Sequence, residues 1–441
     1  MIELGIFAQK GVKVSHNKRT SKMEAVRIDH CERVTLLMKQ HIGAACIPCV
    51  APGDRVLAGQ VVGDTSFEPS APVHASISGT VQDIELIRLP SGEDVKAVVV
   101  ESDGRMEHIE YAPPVVNSPE EFFVAVWASG LVGLGGAGFP AHVKLRGSFG
   151  KANILLVNAS ECEPNITVDH REVLDASLDI IEGMKLICRW LDIPEAIVGI
   201  EKNKADAIAL LKVFCAEHST PQLRMRVKAL KSRYPQGADK VFIRSLTRRV
   251  VPLGQLPGSV SVLSMNVGSV SFIGRYMQTG RPLISRTVTV DGDAVPRPMN
   301  VRVPVGIALR ELCAFCGAEH ARPAKIILGG PMMGGASPDL NAVISKCNNA
   351  LLLFSERQAH LKPETACIRC GSCVTACPMR LMPLHLEKAY YARDVEALNK
   401  LNATGCMECG CCSFACPAGR ELVQRIRMGK RVCRAAEGSK T

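Results

Sequence analysis

The pattern of apolar and polar positions changes several times along the chain. Residues 34 to about 110 hold short runs that alternate with a period of two and are separated by turns, as half-buried strands do. Residues 115 to 250 instead alternate helical periodicity with continuous apolar runs such as NILLVNA, which predicts an α/β core. Strand-like segments return between 258 and 320, and KIILGGPMMGG then predicts a strand that rejoins the main sheet.

The first region resembles a sandwich of the lipoyl or biotinyl type. The resemblance lies in GDRVLAGQVV and APVHASISGTV, which follow one another along the chain. Carriers of this type need a lysine on the hairpin between the two pieces. No lysine occurs from Ala51 to Val81, so we predict a scaffold sandwich without a swinging arm.

Two helical segments can be read from their end signals. In SPEEFFVAVWASG, Ser118 is a candidate N-cap, and Glu120 and Glu121 lie in the first turn. Near the C-terminus, LHLEKAYYARDVEALNKLNATG has helical periodicity and ends at a glycine.

Composition and charge exclude several classes of function. The chain has 441 residues, of which 47% are apolar, and it contains neither an unbroken apolar run of 18 residues nor a signal-peptide pattern. We therefore expect no transmembrane segment and a cytoplasmic location. Only 4% of the residues are aromatic, and no interleaving of basic and aromatic residues indicates a nucleic acid partner.

The formal net charge is +10, and residues 418–441 contain seven Lys or Arg against two Glu. This basic tail is either a solvated helix or a contact for an acidic partner or an anionic membrane surface.

Nineteen cysteines are present, and eight of them form two near-identical runs. Each run has the spacing C-x2-C-x2-C-x3-C-P of bacterial two-cluster ferredoxins, in which the fourth cysteine binds the other cluster. We expect this fourth cysteine to start a helix. The predicted first cluster binds Cys367, Cys370, Cys373 and Cys416, and the predicted second cluster binds Cys406, Cys409, Cys412 and Cys377. A pair of zinc sites is the alternative, but zinc sites usually separate their C-x2-C pairs by a longer gap.

Several cysteines fall outside these runs. Cys411 is out of phase with the second run. The pairs Cys46/Cys49 and Cys313/Cys316 could each supply half of a metal site or simply be buried, and Cys162 is a candidate for small buried packing.

A glycine-rich segment, GLVGLGGAGFPAHVKL, begins at Gly130. Gly133, Gly135 and Gly138 match the G-x-G-x-x-G spacing, but the dinucleotide fingerprint requires a preceding strand and the segment before this one is predicted to be helical. Consecutive glycines still expose backbone N–H groups to a phosphate or a flat ring, and Lys144 could add positive charge. A tight structural turn is the alternative.

A polar loop follows the apolar run NILLVNA. It carries Asn158, Glu161, Glu163 and Asp169. Open α/β sheets bind ligands where their strands end, and carboxylates placed there can accept hydrogen bonds from ribose hydroxyls. A solvated loop is the alternative.

These segments together resemble the RnfC family, which supplies one subunit of the Rnf electron-transport complex. The resemblance rests on HIGAAC, SAPVHASISGTV, GLVGLGGAGFPAHVKL, NASECEP, RYPQGADK, LGGPMMG and the two cysteine runs, which cover nearly the whole chain. The glycine segment and NASECEP are also similar to the FMN and NADH loops of the flavin-carrying subunit of respiratory complex I. The resemblance implies a site for FMN and NADH that is formed by Gly133, Gly135, Gly136, Ala137, Gly138, Phe139, Lys144, Asn158, Glu161 and Glu163.

The resemblance also implies a multidomain α/β architecture. The expected parts are an N-terminal barrel-sandwich hybrid (1–112), an α/β FMN- and NADH-binding domain (113–257), a β-grasp domain of the SLBB type (258–322), a return strand of the α/β domain (323–356), and a C-terminal ferredoxin-like α-helical domain with two [4Fe–4S] clusters and a basic tail (357–441).

The implied function is an electron-transfer subunit at the cytoplasmic face of the membrane. It would oxidise NADH or reduce NAD through FMN and the two clusters, with membrane and iron–sulfur subunits of the complex as direct partners and ferredoxin as an indirect one. A flavin is expected because a hydride carries two electrons whereas an iron–sulfur cluster accepts one. Two alternatives stay open: a flavin and iron–sulfur cobalamin reductase of a diol-utilisation microcompartment, and a ferredoxin-like relay without enzymatic activity.

Overall fold

The computed structural model describes residues 10–28, 30–89 and 92–438. Most of the N-terminal sequence that was searched for a signal peptide lies outside these residues. The end of the basic tail also lies outside them.

Short strands form the N-terminal sandwich, as the period of two predicts. Four of them, in the order β2-β8-β7-β4, make one sheet, and β3-β5-β6 make the other. The strands are β1 (Val26–Arg27), β2 (Arg33–Leu37), β3 (Ile47–Pro48), β4 (Arg55–Val56), β5 (Val61–Asp64), β6 (Val73–His74), β7 (Gly79–Arg88) and β8 (Asp94–Ser102). Val34, Leu36, Val98 and Val100 are fully buried between the sheets. β1 leaves the sandwich and pairs with a strand of a third unit.

The α/β domain is built on four parallel strands. These are β9 (Ile154–Ala159), β10 (Glu195–Glu201), β11 (Arg224–Leu230) and β12 (Val262–Asn266), in the order β11-β10-β9-β12. Helices cover the sheet: α1 (Pro119–Ala128), α2 (Ala141–Ser148), α3 (Val168–Asp175), α4 (Ser177–Leu191), α5 (Ala205–His218), α6 (Asp239–Thr247) and α7 (Val267–Thr279), with a 3-10 turn at Pro257–Val260. A Cβ at Gly183 would lie 2.0 Å from the Val270 carbonyl oxygen, so only glycine permits α4 to lie so close to α7.

A six-stranded mixed sheet forms the third unit. Its strand pairing differs from the predicted division of the chain at two places. It contains β13 (Ser285–Asp291), β14 (Met299–Pro304), β15 (Lys325–Leu328), β16 (Gly335–Ser337) and β17 (Ala350–Phe354), with α8 (Leu309–Phe315) and α9 (Glu356–Ala359). The order is β1-β14-β13-β17-β15-β16. The predicted return strand at 323–356 is therefore wrong, because β15 pairs with β17, and β17 pairs with β13 rather than with the α/β sheet.

The predicted boundary at 257 is also wrong. Residues 262–279 belong to the α/β domain, because β12 pairs in parallel with β9 and α7 packs on α4.

Helices make up the C-terminal unit: α10 (Ser372–Ala376), α11 (Pro383–Tyr391), α12 (Val395–Lys400), α13 (Cys411–Phe414) and α14 (Leu422–Gly438), with a 3-10 turn at Ala403–Gly405. The helical insertion is two helices rather than one, since Arg393 has a φ of 53° and Asp394 caps α12. No helix among the described residues combines the length and apolar character needed to cross a bilayer.

Lys346 joins three of these units. It is fully buried, and its Nζ donates to the carbonyl of Pro72 at 2.6 Å and to that of Gly130 at 2.8 Å. Its backbone N–H donates to Gln40 Oε1 at 3.0 Å. Burial is the main cause that lowers the pKa of Lys346 to about 8.

The pKa of Lys346 leads to a testable dependence on pH. Between pH 8 and the ordinary lysine value of 10.5, the folded chain has lost this proton whereas the unfolded chain keeps it, so stability rises with pH. The rise is at most about 1.4 kcal/mol per pH unit. We expect the thermal unfolding midpoint of the native chain to rise over this range relative to that of Lys346→Met. Parallel curves for the two proteins would contradict the assignment, and Lys362→Met, at an exposed position, is the control.

Candidate functional site

Residues 133–139, here called the glycine loop, connect α1 to α2. Two hydrogen bonds close the loop, from Gly133 N to the Phe139 carbonyl at 2.9 Å and from Gly138 N to the Gly133 carbonyl at 3.3 Å. Residues 135–137 are exposed, and within the described chain no hydrogen-bond partner is seen for their N–H groups. Gly136 has a φ of +101° and open space where a Cβ would lie. The loop therefore presents free backbone donors to solvent.

The predicted helix before the loop is confirmed. Ser118 Oγ caps α1 by accepting a hydrogen bond from Glu121 N. This excludes the strand-turn-helix context of an ordinary dinucleotide fingerprint, in agreement with the sequence.

The back of the glycine loop is packed tightly. A Cβ at Gly138 would lie 2.4 Å from Cys347 Sγ, and the Gly138 carbonyl accepts a hydrogen bond from Ile42 N at 3.0 Å. Ser269 Oγ accepts another from Leu134 N at 3.0 Å. These contacts hold the loop open toward solvent, and sequence reasoning did not find Cys347 or Ser269.

Asn266 lies beside the glycine loop, and Lys144 lies on α2, which follows the loop. Lys144 Nζ is 3.6 Å from Asp239 Oδ2, and Asp239 also accepts a hydrogen bond from Ser264 Oγ at 3.0 Å. The Asn266 side chain lies 3.3 Å from the position of a Cβ at Gly135. The sequence analysis missed both Asp239 and Asn266, although Asn266 ends a buried strand and caps α7.

Asn158, at the end of β9, holds two loops together. Its Nδ2 donates to the Gly237 carbonyl at 2.8 Å, and its Oδ1 accepts from Ser160 N at 3.1 Å. Asn158 therefore fixes the start of the polar loop against the segment that leads into α6.

Residues 160–166, here called the acid loop, carry buried acceptors. Glu161 Oε1 accepts from Asp169 N at 2.7 Å, and Glu163 Oε2 accepts from Met332 N at 3.0 Å. The other carboxylate oxygens, Glu161 Oε2 and Glu163 Oε1, are buried without a hydrogen-bond partner among the described residues, as is Ser160 Oγ. Burial is the main cause that raises the pKa of Glu163 to about 7. Glu161 Oε2 lies 3.9 Å from Lys18 Nζ, but neither of these two carboxylate oxygens accepts a hydrogen bond from the described residues. Free backbone donors and buried acceptors with room for a hydrogen bond suit a bound flavin mononucleotide, so the residues present fit that group.

Lys18 of the N-terminal segment fixes the acid loop, and the sequence analysis missed it. Its Nζ donates to the carbonyls of Glu161 at 2.9 Å and Glu163 at 2.8 Å, and also to that of Ile166. Glu161 has a φ of 34°, which an L-residue rarely adopts. One ammonium thus holds three carbonyls of a strained loop.

We expect Lys18→Met to destabilise this region by about 3 kcal/mol, because three buried carbonyls lose their donor. Thermal unfolding and limited proteolysis of the acid loop would measure the change. Lys22→Met, at an exposed position of the same segment, is the matched control and should behave like the native chain. Equal unfolding midpoints for Lys18→Met and its control would show that the contact contributes little.

Cysteines of both runs meet in one cavity of the C-terminal unit. Cys377, from the first run, lines this cavity with Cys406, Cys409 and Cys412 from the second. Burial, followed by the charges of Cys406, Cys409 and Cys377, raises the pKa of Cys412 to about 12. The arrangement fits the crossed ligand set of the predicted second cluster.

Among the remaining cysteines, Cys373 of the first run and Cys416 of the second lie close enough for their charges to interact. Burial raises the pKa of the Cys373 thiol, and the charge of Cys416 adds to the rise. Cys367 and Cys370 lie on the preceding loop, where Cys370 is exposed. Within the part of the chain described, no three His, Cys, Asp or Glu side chains converge as ligands of a single metal ion. A cubane cluster distributes its four thiolates over four irons, so its ligands need not converge on one point.

The expectation that the fourth cysteine starts a helix is wrong. Cys377 is the C-cap of α10, and Cys416 follows the end of α13. Proline after each cysteine prevents the helix from continuing.

Cys411 is fully buried and also lines the cavity of the second run, as a fifth cysteine there. It packs with Tyr234, whose hydroxyl donates to the Cys409 carbonyl at 2.7 Å. Burial is the main cause that raises the pKa of Tyr234, and the charge of Glu163 adds to the rise. Tyr234 therefore connects the acid loop to the cavity of the second run.

The two other cysteine pairs differ in exposure. Cys46 is buried and Cys49 is exposed, whereas Cys313 and Cys316 are both buried in an apolar core.

Comparison with known families divides the chain into the same four units as the structure. The matches are an RnfC barrel sandwich hybrid domain at residues 7–105, a Nuo51 FMN-binding domain at 126–275, an SLBB domain at 287–335 and a 4Fe-4S dicluster domain at 360–417. The predicted multidomain fold class is confirmed.

Among known proteins, the C subunit of the proton-translocating ferredoxin:NAD(+) oxidoreductase complex of Clostridium ljungdahlii is 39% identical over 92% of this chain and 89% of its own length. The chain belongs to the RnfC family. A second RnfC relative, from the Na(+)-translocating ferredoxin:NAD(+) oxidoreductase complex of Acetobacterium woodii, is 38% identical over 91% of this chain and 90% of its own length. A third, from the ion-translocating oxidoreductase complex of Pseudomonas aeruginosa, is 36% identical over 84% of this chain, but the match covers only 48% of that relative.

A solved structure shares the RnfC fold. The NAD+-reducing [NiFe]-hydrogenase in its H2-reduced state aligns with a TM-score of 0.50 and 18% identity, over 71% of this chain and 62% of that one. At this identity the likeness shows the fold alone.

Proposed function

We propose that this chain is the electron-transfer subunit of an ion-translocating ferredoxin:NAD(+) oxidoreductase complex, and that it oxidises NADH or reduces NAD through FMN and two [4Fe–4S] clusters. The observation that carries the proposal is the similarity to two subunits of such complexes over more than nine tenths of the chain. The free donors of the glycine loop and the crossed cysteine runs on one chain support it.

Bound FMN would supply the conversion between two-electron and one-electron transfer. The proposed flavin and nucleotide residues are Gly133, Gly135, Gly136, Ala137, Gly138, Phe139, Lys144, Asn158, Glu161 and Glu163. In this site the N–H groups of residues 135–137 bind a phosphate or a ring edge, and Lys144 adds positive charge. Asn158 acts through the backbone that it positions.

The proposed cluster ligands are the eight cysteines of the two runs. The second-run cavity lies on the flavin side of the unit, because Tyr234 packs between the acid loop and Cys409. Cys370 is exposed on the first-run loop, which would leave that cluster accessible to a partner. This placement would set the order of the electron carriers in the chain, whichever way the electrons flow.

The proposed partners are the membrane and iron–sulfur subunits of the complex, with ferredoxin as an indirect partner. The chain would be peripheral, at the cytoplasmic face of the membrane. α14 supports a surface contact, because Arg431 and Arg434 are exposed on it. Either an acidic subunit or an anionic lipid surface suits this charge.

The proposal is tested with anaerobically purified and reconstituted chain. Flavin absorbance, about eight irons per chain and reduction of an artificial dye by NADH are expected. Iron without flavin or NADH oxidation would favour the relay without enzymatic activity. NADH-dependent reduction of a corrinoid, in place of coupling to the membrane subunits, would favour the cobalamin reductase.

A further inference from the structure

A polar cavity of about 50 Å³ lies between the α/β domain and the six-stranded sheet. This volume accommodates about four water molecules. Its walls come from α3, α7, β13 and β14, and they include Arg275, Arg286 and Arg302. None of these arginines belongs to the proposed flavin or cluster sites.

Arg286 is the most deeply buried of the three, with 8% of its surface exposed. Its Nη2 donates to the Leu134 carbonyl at 3.1 Å, whereas its Nε is buried without a hydrogen-bond partner among the described residues. A charged donor that is removed from water and left unpaired costs free energy. Arg286 is therefore a buried cation whose Nε–H has no acceptor among the described residues, although the charge of Asp169 lies close to it.

Positive charge is in excess around this cavity. Burial, and then the charges of Arg275, Arg281 and Arg27, lowers the pKa of Arg302 to about 10, although Glu172 opposes the shift. The cavity is thus cationic over several neighbouring side chains.

The two carboxylates that line the cavity, together with Asp179, whose Oδ2 lies 3.3 Å from Arg275 Nε, offset part of this charge. Glu172 is already bound by Arg275 Nη2 at 2.8 Å and by Ser271 Oγ. Asp169 accepts from Asn266 Nδ2 at 2.8 Å, and burial raises its pKa to about 7, so near neutral pH it is partly protonated.

We propose that this cavity binds a small tetrahedral oxyanion, such as sulfate or inorganic phosphate, through Arg286 and Arg302. The volume admits the oxyanion but excludes a nucleoside. Because Arg286 also holds the Leu134 carbonyl, the anion would support the glycine loop from behind.

Calorimetric titration of the flavin- and cluster-loaded chain with sodium sulfate, against sodium chloride at equal ionic strength, tests the proposal. Saturable sulfate binding in the millimolar range or tighter is expected. Arg286→Met should weaken it at least about tenfold, since one charge-assisted hydrogen bond and one charge are lost. Arg357→Met, at a side chain that is 81% exposed, should bind as the native chain does.

A second variant keeps the test decisive if Arg286→Met does not fold. Thr287→Leu places a larger apolar side chain in the cavity wall and keeps all three arginines, and it too should lose sulfate binding. Titration with AMP tests whether the site takes the phosphate of a nucleotide. A site for a free oxyanion should not bind AMP. AMP binding that Thr287→Leu abolishes would show that nucleotides are not excluded from the cavity.

Selenate soaked into crystals would locate the bound anion. An anomalous peak within hydrogen-bond distance of Arg286 Nε is expected. Density that appears only at high selenate concentration, together with no saturation in solution, would mean an adventitious ion only. That result, or sulfate binding unchanged in both variants, would overturn the proposal.

Discussion

Replacing Cys377 with serine is expected to remove the second cluster rather than the first, so that the iron content falls from about eight to about four atoms per chain. Cys377 belongs to the first run in sequence, but its side chain lines the cavity of Cys406, Cys409 and Cys412. A hydroxyl is a poor substitute for a thiolate as an iron ligand. Iron analysis and low-temperature EPR of the reduced chain would measure the loss.

The identity of the surviving cluster decides whether the ligands are crossed. With crossed ligands, the cluster that survives in Cys377→Ser is the first one, whose loop contains the exposed Cys370. A chelator should therefore remove the remaining iron of this variant rapidly. Cys416→Ser should give the opposite result, a slowly removed remainder. Cys411→Ser is the control and should keep all of its iron. A slowly removed remainder in Cys377→Ser would show that each run binds its own cluster.

Gly136→Val should reduce the affinity for FMN by at least about a hundredfold and leave both clusters in place. Gly136 has a φ of +101°, a conformation that valine rarely adopts, and the space beyond its Cα is open. A valine would therefore distort the exposed turn and cover its free N–H groups. Two lost hydrogen bonds to a phosphate are sufficient for an effect of this size. Fluorescence titration of flavin-depleted chain with FMN would measure the change.

A matched control separates flavin binding from simple backbone strain. Gly53 has a φ of +94°, and nothing lies within 4 Å of a Cβ there, but it belongs to the N-terminal sandwich. Gly53→Val should cost similar stability and leave FMN affinity unchanged. If the two variants lost FMN to the same extent, the glycine loop would not be the flavin site.

Local patterns in the sequence predicted the parts of the fold well. The alternating runs, the capped helix before the glycine loop and the buried strand β9 all appear where the residues indicated. The strand at 325–328 was correctly predicted as a strand but was assigned to the wrong sheet. An apolar run specifies that a strand is buried, but not which neighbour it pairs with, because pairing depends on contacts between residues far apart in the chain.

The same limit applies to the candidate site. Repeated spacing indicated the eight cysteines, glycine spacing indicated the glycine loop, and polar residues after a strand indicated the acid loop. The resemblance then implied that these two loops bind FMN and NADH. Lys18, Asp239 and Asn266 were missed, because each is an ordinary residue until folding brings it beside a loop. Lys18 is 143 residues from the first carbonyl that it binds, a distance over which sequence periodicity carries no information.

The exchange of Cys377 and Cys416 between the two halves of the C-terminal unit has a consequence for biosynthesis. If each cubane needs a sulfur from both halves, the second cannot be completed before residue 412 has left the ribosome, and the first cannot be completed before residue 416 has done so. Iron delivery would then follow translation of nearly the whole polypeptide, and a chain truncated between residues 377 and 406 would retain no intact centre, even though it still carries a full four-cysteine repeat.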